Sequence, residues 1–300
     1  RSRFHRCHRL VEQRRLFFLH YSCSSVPVCG LLFPERKGSL PMKNSNVSKA
    51  EYTEKNRKGK GRRFLLPFLA VLTVTAGIFF SVCYITEIRA EKAMLERKKS
   101  SGEIDWTKDM VGWIQIPDTS ISYPVMQRED DPEYYLHRDV DGGYSFYGTP
   151  FLDGRCSTDS DNLLIYGHNI NGRRFFGALQ NFRGSSYFNS HRDLIFTTRQ
   201  EVDTYRIVSV IETDVSSLAF SFADTYNEND YRRYGTYLLE KSKFNTDEQT
   251  KLLKEFNQEK EIWHTYQFIT LSTCRTFEGK EKRLLVVAYR ERNESNENGQ

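Results

Sequence analysis

The sequence is poor in cysteine and proline, and it lacks the short motifs that bind metals or nucleotides. Its 300 residues include only 6 cysteines and 8 prolines. We find no H-E-x-x-H or C-x-x-C pair, no EF-hand loop, no nucleotide-binding glycine pattern and no G-x-S-x-G turn. These absences argue against a disulfide-rich scaffold, a metalloenzyme and a nucleotide-dependent enzyme. We therefore expect neither a metal nor a cofactor.

Charge is distributed unevenly along the chain. Hydrophobic residues make up 38% and charged residues 28%, which is too polar for a protein with many membrane spans. Residues 1–63 contain 16 basic and 4 acidic residues, whereas residues 64–300 carry a net charge of −7. A nucleic-acid-binding protein should spread its basic residues over a folded face. A nucleic-acid partner is therefore the least favoured interpretation.

One apolar run explains the asymmetry. The 22 residues 64–85 carry no charge, and about 20 apolar residues span a bilayer as a helix. Five basic residues lie in 57–63, so the positive-inside rule places the N-terminus in the cytoplasm and the rest outside the cell. A cleaved signal peptide is the alternative, but this run is longer than a usual signal core and does not end in an A-x-A site. We predict a single-pass protein of the cell membrane.

The anchor sets the predicted domain boundaries. The first Met is Met42, and we interpret 1–41 as non-native upstream sequence or a disordered leader. We expect a basic cytoplasmic tail over 42–63, the transmembrane anchor over 64–85, and a juxtamembrane helical segment over 86–110. A folded exported domain over 111–290 and a polar tail over 291–300 complete the prediction.

The exported part is predicted to be mainly β. About eight segments are rich in β-branched and aromatic residues, and turn residues separate many of them. They are 111–116, 120–126, 145–152, 162–166, 194–198, 202–211, 267–271 and 284–289. Helical insertions are predicted at 174–182, 228–241 and 246–258. This pattern favours a closed or nearly closed antiparallel barrel.

A thiol and a cation are predicted to meet at one strand end. Cys274 closes the apolar strand that begins near Phe268, and the next strand starts near Arg283. Antiparallel pairing of the two strands would place Arg283 across from Cys274. A cation beside a thiol lowers the pKa of the thiol and can stabilise an oxyanion. Each residue alone has an ordinary structural interpretation, a small buried residue or an edge charge.

A nucleophilic thiol also needs a proton-transfer partner. Among the exported histidines, His168 follows an apolar strand and Gly167, which is a position typical of site residues. His137 lies in an acidic turn, His191 in a predicted loop, and His264 beside Trp263 indicates a packing or surface role. Spacing favours His168 only modestly.

These residues resemble the signature of the sortase family, and most closely that of class B. The segment Thr270–Cys274 followed by Arg283 is similar to the family's T-L-x-T-C…R pattern, and Tyr166–Asn169 is similar to its histidine segment. Further similar segments are 112–116, 122–125, 134–136 and 148–153. The resemblance covers about residues 87–290. Cys156 and the region before Met42 have no counterpart in the family pattern.

The resemblance implies a fold, an activity and a set of site residues. Sortases are Gram-positive, membrane-anchored cysteine transpeptidases with a closed eight-stranded β-barrel. By this resemblance Cys274 is the nucleophile, His168 the general acid/base, and Arg283 the oxyanion and positioning residue, although Arg275 offers a second cation. Ser272, Thr273 and Asn169 are the implied supporting or substrate-binding residues.

The resemblance also implies two partners. One is a secreted protein with a C-terminal sorting signal, cleaved after Thr through a thioacyl enzyme. The other is an amine acceptor, from a peptidoglycan precursor or alternatively a pilin Lys.

Two alternatives remain open at this point. The first is a cysteine endopeptidase on a different fold, with His168 as the base. The order of the residues argues against a papain-like version, because papain-like enzymes place Cys before His, whereas His168 precedes Cys274 here. A membrane-tethered, non-enzymatic β-barrel scaffold would give Cys274 a structural role. Whether Cys156 is free or paired with Cys274 is also open.

Overall fold

The computed structural model describes residues 60–99, 102–170, 174–258, 261–274 and 281–292. The predicted leader at 1–41, most of the predicted tail at 42–63, and residues 293–300 lie outside this range. The chain divides at Ile85 and Thr86 into two compact units.

A long helix, α1 (Lys60–Glu96), contains the predicted anchor. Its segment Pro67–Glu96 is the one described helix that is long and apolar enough to cross a membrane, and the large side chains between Phe68 and Ile85 are exposed. The helix ends at Glu96, so the predicted juxtamembrane helical segment is helical over its first part alone. The described residues from Arg97 to Asp109 form turns and an isolated bridge between Lys98 and Ile104.

Eight strands of the second unit form a closed barrel in the order β1-β2-β3-β4-β9-β10-β8-β7. Two further short strands, β5 and β6, pair with each other alone. The strands are β1 (Met110–Gln115), β2 (Ser122–Met126), β3 (Phe151–Leu152), β4 (Asn162–Tyr166), β5 (Asn169–Ile170), β6 (Arg174–Phe175), β7 (Asp193–Thr197), β8 (Val202–Asp214), β9 (Tyr266–Cys274) and β10 (Lys282–Glu291). The closed eight-stranded barrel with helical insertions is therefore confirmed.

The barrel is mixed, and the expectation of a purely antiparallel barrel is wrong. Strand β2 pairs with β3 in parallel, and β4 pairs with β9 in parallel. Parallel neighbours need long crossover connections. The chain provides one between β4 and β9, which includes β7, β8 and most of the helices.

The helices lie in the connections. They are the short α2 (Ser185–Ser190), then α3 (Glu228–Glu240) and α4 (Asp247–Phe256). Three 3₁₀ helices cover Tyr134–His137, Phe176–Arg183 and Leu218–Ser221. Thr246 caps the start of α4 through a capping box with Gln249.

Two predicted elements differ from the structure. The predicted strand 145–152 is a strand only at Phe151–Leu152, because Gly148 has φ +60 and Ser145 bonds to His137 and to Glu87 of α1. The predicted helix 174–182 begins as strand β6 and continues as a 3₁₀ helix.

Alternation along the strands builds two apolar layers. Ile269 and Leu271 of β9 belong to the main core cluster, whereas Phe268 belongs to a second cluster with Tyr231 of α3 and Phe256 of α4. The strand that ends at Cys274 is therefore buried on both faces, which fixes its register within the sheet.

Candidate active site

Cys274 lies at the end of β9 between two neighbouring strands. On one side, β10 is antiparallel and pairs Arg283 directly with Cys274, as the sequence predicts. On the other side, β4 is parallel and pairs Tyr166 with Ser272. The Gly167 N–H donates to the Ser272 carbonyl at 3.1 Å, so the alignment continues past the end of β4. His168 therefore follows β4 at the level where Cys274 follows Ser272.

The His168 ring is held by the backbone of another segment. Its Nε2 lies 3.1 Å from the Leu136 carbonyl oxygen, and its own carbonyl accepts from the Phe176 N–H at 3.1 Å. A carbonyl oxygen only accepts, so Nε2 carries a proton and Nδ1 is the remaining acceptor. The His137 ring lies beside it, with ring centroids 5.8 Å apart.

Burial and positive neighbours keep His168 neutral. The ring is half-buried, and burial is the main reason that its pKa is lowered from the ordinary 6.5 to about 4. The bond to Leu136 acts in the opposite direction, and the charges of His137 and Arg283 contribute smaller decreases to the same shift.

Arg283 is buried, and its Nη1 donates to the Lys282 carbonyl at 3.1 Å. A positive charge held at the end of β10, paired across from Cys274, is suited to stabilise an oxyanion that forms there. Arg275, the second cation considered from the sequence, lies outside the described residues.

Two of the predicted supporting residues precede Cys274 in β9, and the third follows His168. Ser272 and Thr273 are buried, and their hydroxyl oxygens have no hydrogen-bond partner within the described part of the chain. Asn169 directly follows His168, is half-buried, and begins β5.

The remaining cysteine and histidine candidates lie elsewhere. Cys156 is a free, buried thiol that donates to the carbonyl of Asn162 at 3.3 Å, at the opposite end of β4 from His168. Burial raises the pKa of the Cys156 thiol to about 12, which makes it a poor nucleophile. His264 bonds through Nδ1 to buried Asp161 at 2.5 Å, near the start of β9. Both groups are structural.

Comparison with known proteins agrees with this arrangement. A family model described as the Sortase domain matches residues 114–291. The chain belongs to the sortase family. It is 30% identical to Sortase B of Listeria monocytogenes over 185 residues, which cover 60% of this chain and 68% of that protein.

Two solved structures extend the likeness. The Staphylococcus aureus sortase B–substrate complex has a TM-score of 0.52 and 25% identity, covering 62% of this chain and 82% of that one. A sortase B complexed with triglycine has a TM-score of 0.52 and 25% identity, covering 62% of this chain and 83% of that one. This sortase is therefore closest to class B, and it is a cysteine transpeptidase rather than a non-enzymatic scaffold.

Sequence reasoning missed the groups that hold His168. In this sortase they are a backbone carbonyl, at Leu136, and His137, which had been placed only in an acidic turn. No local sequence pattern predicts either contact, because residues 134–137 lie about thirty positions before His168 in the chain. The similarity of residues 134–136 to the family pattern is the one feature that pointed there.

Proposed function

We propose that this sortase cleaves the sorting signal of another secreted protein after Thr and transfers it to an amine of a peptidoglycan precursor. The observation that carries the proposal is that Cys274, Arg283 and His168 lie at the same height, at one end of the barrel. Cys274 pairs with Arg283 in β10, and His168 follows the parallel strand β4. Nucleophile, cation and proton carrier thus come from three adjacent strands.

In the proposed first half-reaction, neutral His168 takes the Cys274 thiol proton at Nδ1 as sulfur bonds to the Thr carbonyl carbon. Arg283 stabilises the oxyanion that forms. The C–N bond then breaks, and His168 returns the proton to the departing amine. The product is a thioester between the Thr acyl group and Cys274.

In the second half-reaction an acceptor amine attacks the thioester carbonyl. His168 removes a proton from this amine, the C–S bond breaks, and the sulfur leaves with that proton. A new amide forms, and no oxidant or reductant is needed. Ser272, Thr273 and Asn169 are proposed to bind the donor peptide, since two of these bring buried hydroxyls next to Cys274.

Two observations support the proposed partners and location. The similar solved structures are a substrate complex and a triglycine complex of sortase B, which match a donor peptide and an amine acceptor. Helix α1 has the length and composition of a membrane span, and the basic cluster at 57–63 precedes it. We propose a single-pass anchor with the catalytic domain outside the cell.

The test uses the full chain in detergent with donor peptides of the forms Asn/Ser-Pro-x-Thr-x and Leu-Pro-x-Thr-x. Triglycine and a Lys-containing pilin-type peptide are the two acceptors, and products are identified by mass spectrometry. We expect a Thr-linked transfer product with triglycine that disappears in Cys274→Ala. Cys156→Ala is the matched control and should retain transfer, because its thiol is buried at the other end of β4.

Each other outcome changes the proposal. Transfer to the Lys peptide alone would establish the pilin-polymerising alternative. Thr cleavage without transfer to either acceptor would indicate a peptidase. The absence of any Cys274-dependent product would refute the proposed chemistry at this site.

A further inference from the structure

The last turns of α1 present one face to the catalytic unit. Glu87, Ala90, Glu91 and Met94 follow the spacing i, i+3, i+4 and i+7, which places them on a common side of a helix. Ala90 and Met94 are buried, and Met94 belongs to the main core cluster. The two carboxylates therefore flank an apolar contact, and each bonds to a different segment of the chain.

Glu87 binds the loop that precedes β3. Its carboxylate accepts from the Ser145 hydroxyl at 2.9 Å and from the Phe146 N–H at 2.6 Å. Ser145 uses the same hydroxyl to accept from the Gly148 N–H at 3.1 Å. Its own N–H donates to the carbonyl of His137 at 3.2 Å. Glu87 thus fixes residues 145–148 against the 134–137 segment.

The 134–137 segment includes the Leu136 carbonyl, which bonds to the His168 ring. Gly148 packs against it so closely that a Cβ there would lie 2.3 Å from the Leu136 oxygen. The Leu136 oxygen is the partner of His168 Nε2. A continuous series of contacts therefore joins Glu87 to the imidazole through Ser145, Gly148 and Leu136.

Glu91 binds the chain on the other side of His168. It forms an ion pair with Arg174, whose Nε lies 3.0 Å from its Oε1. Arg174 pairs with Ile170 in the β5–β6 hairpin, which begins directly after His168. Phe176, two residues further on, donates its N–H to the His168 carbonyl.

We propose that Glu87 and Glu91 are positioning residues for His168. The end of α1 fixes the ring through Glu87 and the His168 backbone through Glu91, although neither carboxylate bonds to His168 itself. The inference rests on the proposed function in one respect, the role of His168 as the proton carrier. It assigns to the helix that follows the apolar segment a part in catalysis as well as in attachment.

The test measures both kinetics and the His168 ring in the full chain in detergent. The variants are Glu87→Ala and Glu91→Ala, with Glu96→Ala as the matched control because Glu96 pairs only with exposed Lys92 among the described residues. We expect kcat for triglycine transfer to fall about ten- to a hundredfold in the first two variants, as small misplacements of catalytic groups do. KM for the donor peptide should stay within about threefold of wild type.

The second readout is the ¹⁵N signal of His168, identified by its absence in His168→Gln. In wild type it should show a protonated Nε2 and a bare Nδ1, and in Glu87→Ala this preference should weaken. Glu87→Gln retains an oxygen that can accept from the Phe146 N–H, so it should lie between wild type and Glu87→Ala in both readouts.

Several outcomes would overturn the inference. The first is that Glu87→Ala keeps the wild-type kcat and an unchanged His168 signal. The second is that Glu87→Ala loses kcat while its His168 signal stays unchanged. If Glu87→Ala does not fold, Ser145→Ala removes the same connection, and an unchanged ring signal there overturns the inference equally. If wild type shows no transfer at all, the proposed function fails, and the ring signal alone decides this inference.

Discussion

Replacing Gly148 by Ala tests how strictly the site depends on the 134–148 segment. Gly148 has φ +60, a conformation that costs an L-residue about 1–2 kcal/mol. Its added Cβ would lie 2.3 Å from the Leu136 oxygen and 2.4 Å from the Tyr135 oxygen. Since such contacts need about 3 Å, the two carbonyls must retreat by roughly 0.6–0.7 Å.

Both carbonyls already accept hydrogen bonds, so the retreat weakens two of them. Leu136 accepts from His168 at 3.1 Å, and Tyr135 accepts from the Thr149 N–H at 3.0 Å. At about 1 kcal/mol for each bond, and with the cost of the backbone conformation added, the total destabilisation is about 3–4 kcal/mol. For a domain of this size that lowers Tm by about 6–16 °C. Displacement of His168 should in addition reduce the transfer rate about ten- to a hundredfold.

The assay is thermal unfolding and transfer rate of the full chain, with Gly184→Ala as the control. Gly184 has φ −94, and a Cβ there would meet only the Asn181 oxygen, at 3.5 Å. The control should change stability by less than about 0.5 kcal/mol. If Gly148→Ala matches Gly184→Ala in both measurements, the argument that the Leu136 carbonyl is sterically fixed is refuted.

Two further predictions concern stability. Because burial lowers the pKa of His168 to about 4, the unfolded chain binds a proton between about pH 6.5 and 4 that the folded chain does not. The free energy of unfolding should therefore fall as pH decreases through this range, by at most about 3 kcal/mol, and urea titrations should show a shallower decrease for His168→Gln. An equal pH dependence in both proteins would contradict the neutral, half-buried ring. Gly235→Ala in α3 would place a Cβ 2.1 Å from the Phe256 ring of α4, so overpacking of about 1–3 kcal/mol should outweigh the better helix propensity of Ala. A higher Tm for Gly235→Ala would show that α3 and α4 do not pack in this way.

Local sequence patterns predicted correctly those barrel strands whose limits are marked by neighbouring residues. The bounds of β4 match the apolar run 162–166, because that run is buried and ends at Gly167. The pairing of Arg283 with Cys274 also followed from sequence, since a short connection between two antiparallel strands fixes their register. Parallel pairing of β4 with β9 joins residues about a hundred positions apart, and no local pattern encodes it.

The predicted strand at 145–152 is a second case in which a contact distant in sequence decides the structure. Its aromatic residues and Thr149 have strand propensity, but Glu87 binds Ser145 and Phe146 and draws them into a loop. A contact across 58 positions thus overrides the local preference. The same contact contributes to holding His168, so the segment where propensity failed is the segment that supports the site.

The surroundings of His168 bear on the order of proton transfers in the proposed mechanism. Burial, with smaller contributions from His137 and Arg283, lowers the pKa of His168, so an imidazolium is disfavoured before sulfur attacks. Once sulfur bonds to the Thr carbonyl, the oxyanion places a negative charge beside Arg283 and His168, and the charged ring becomes easier to form. The ring is thus protonated mainly in the tetrahedral state and gives the proton readily to the departing amine. A permanently charged histidine could not accept the thiol proton, and one without cationic neighbours would release its proton to the amine more slowly.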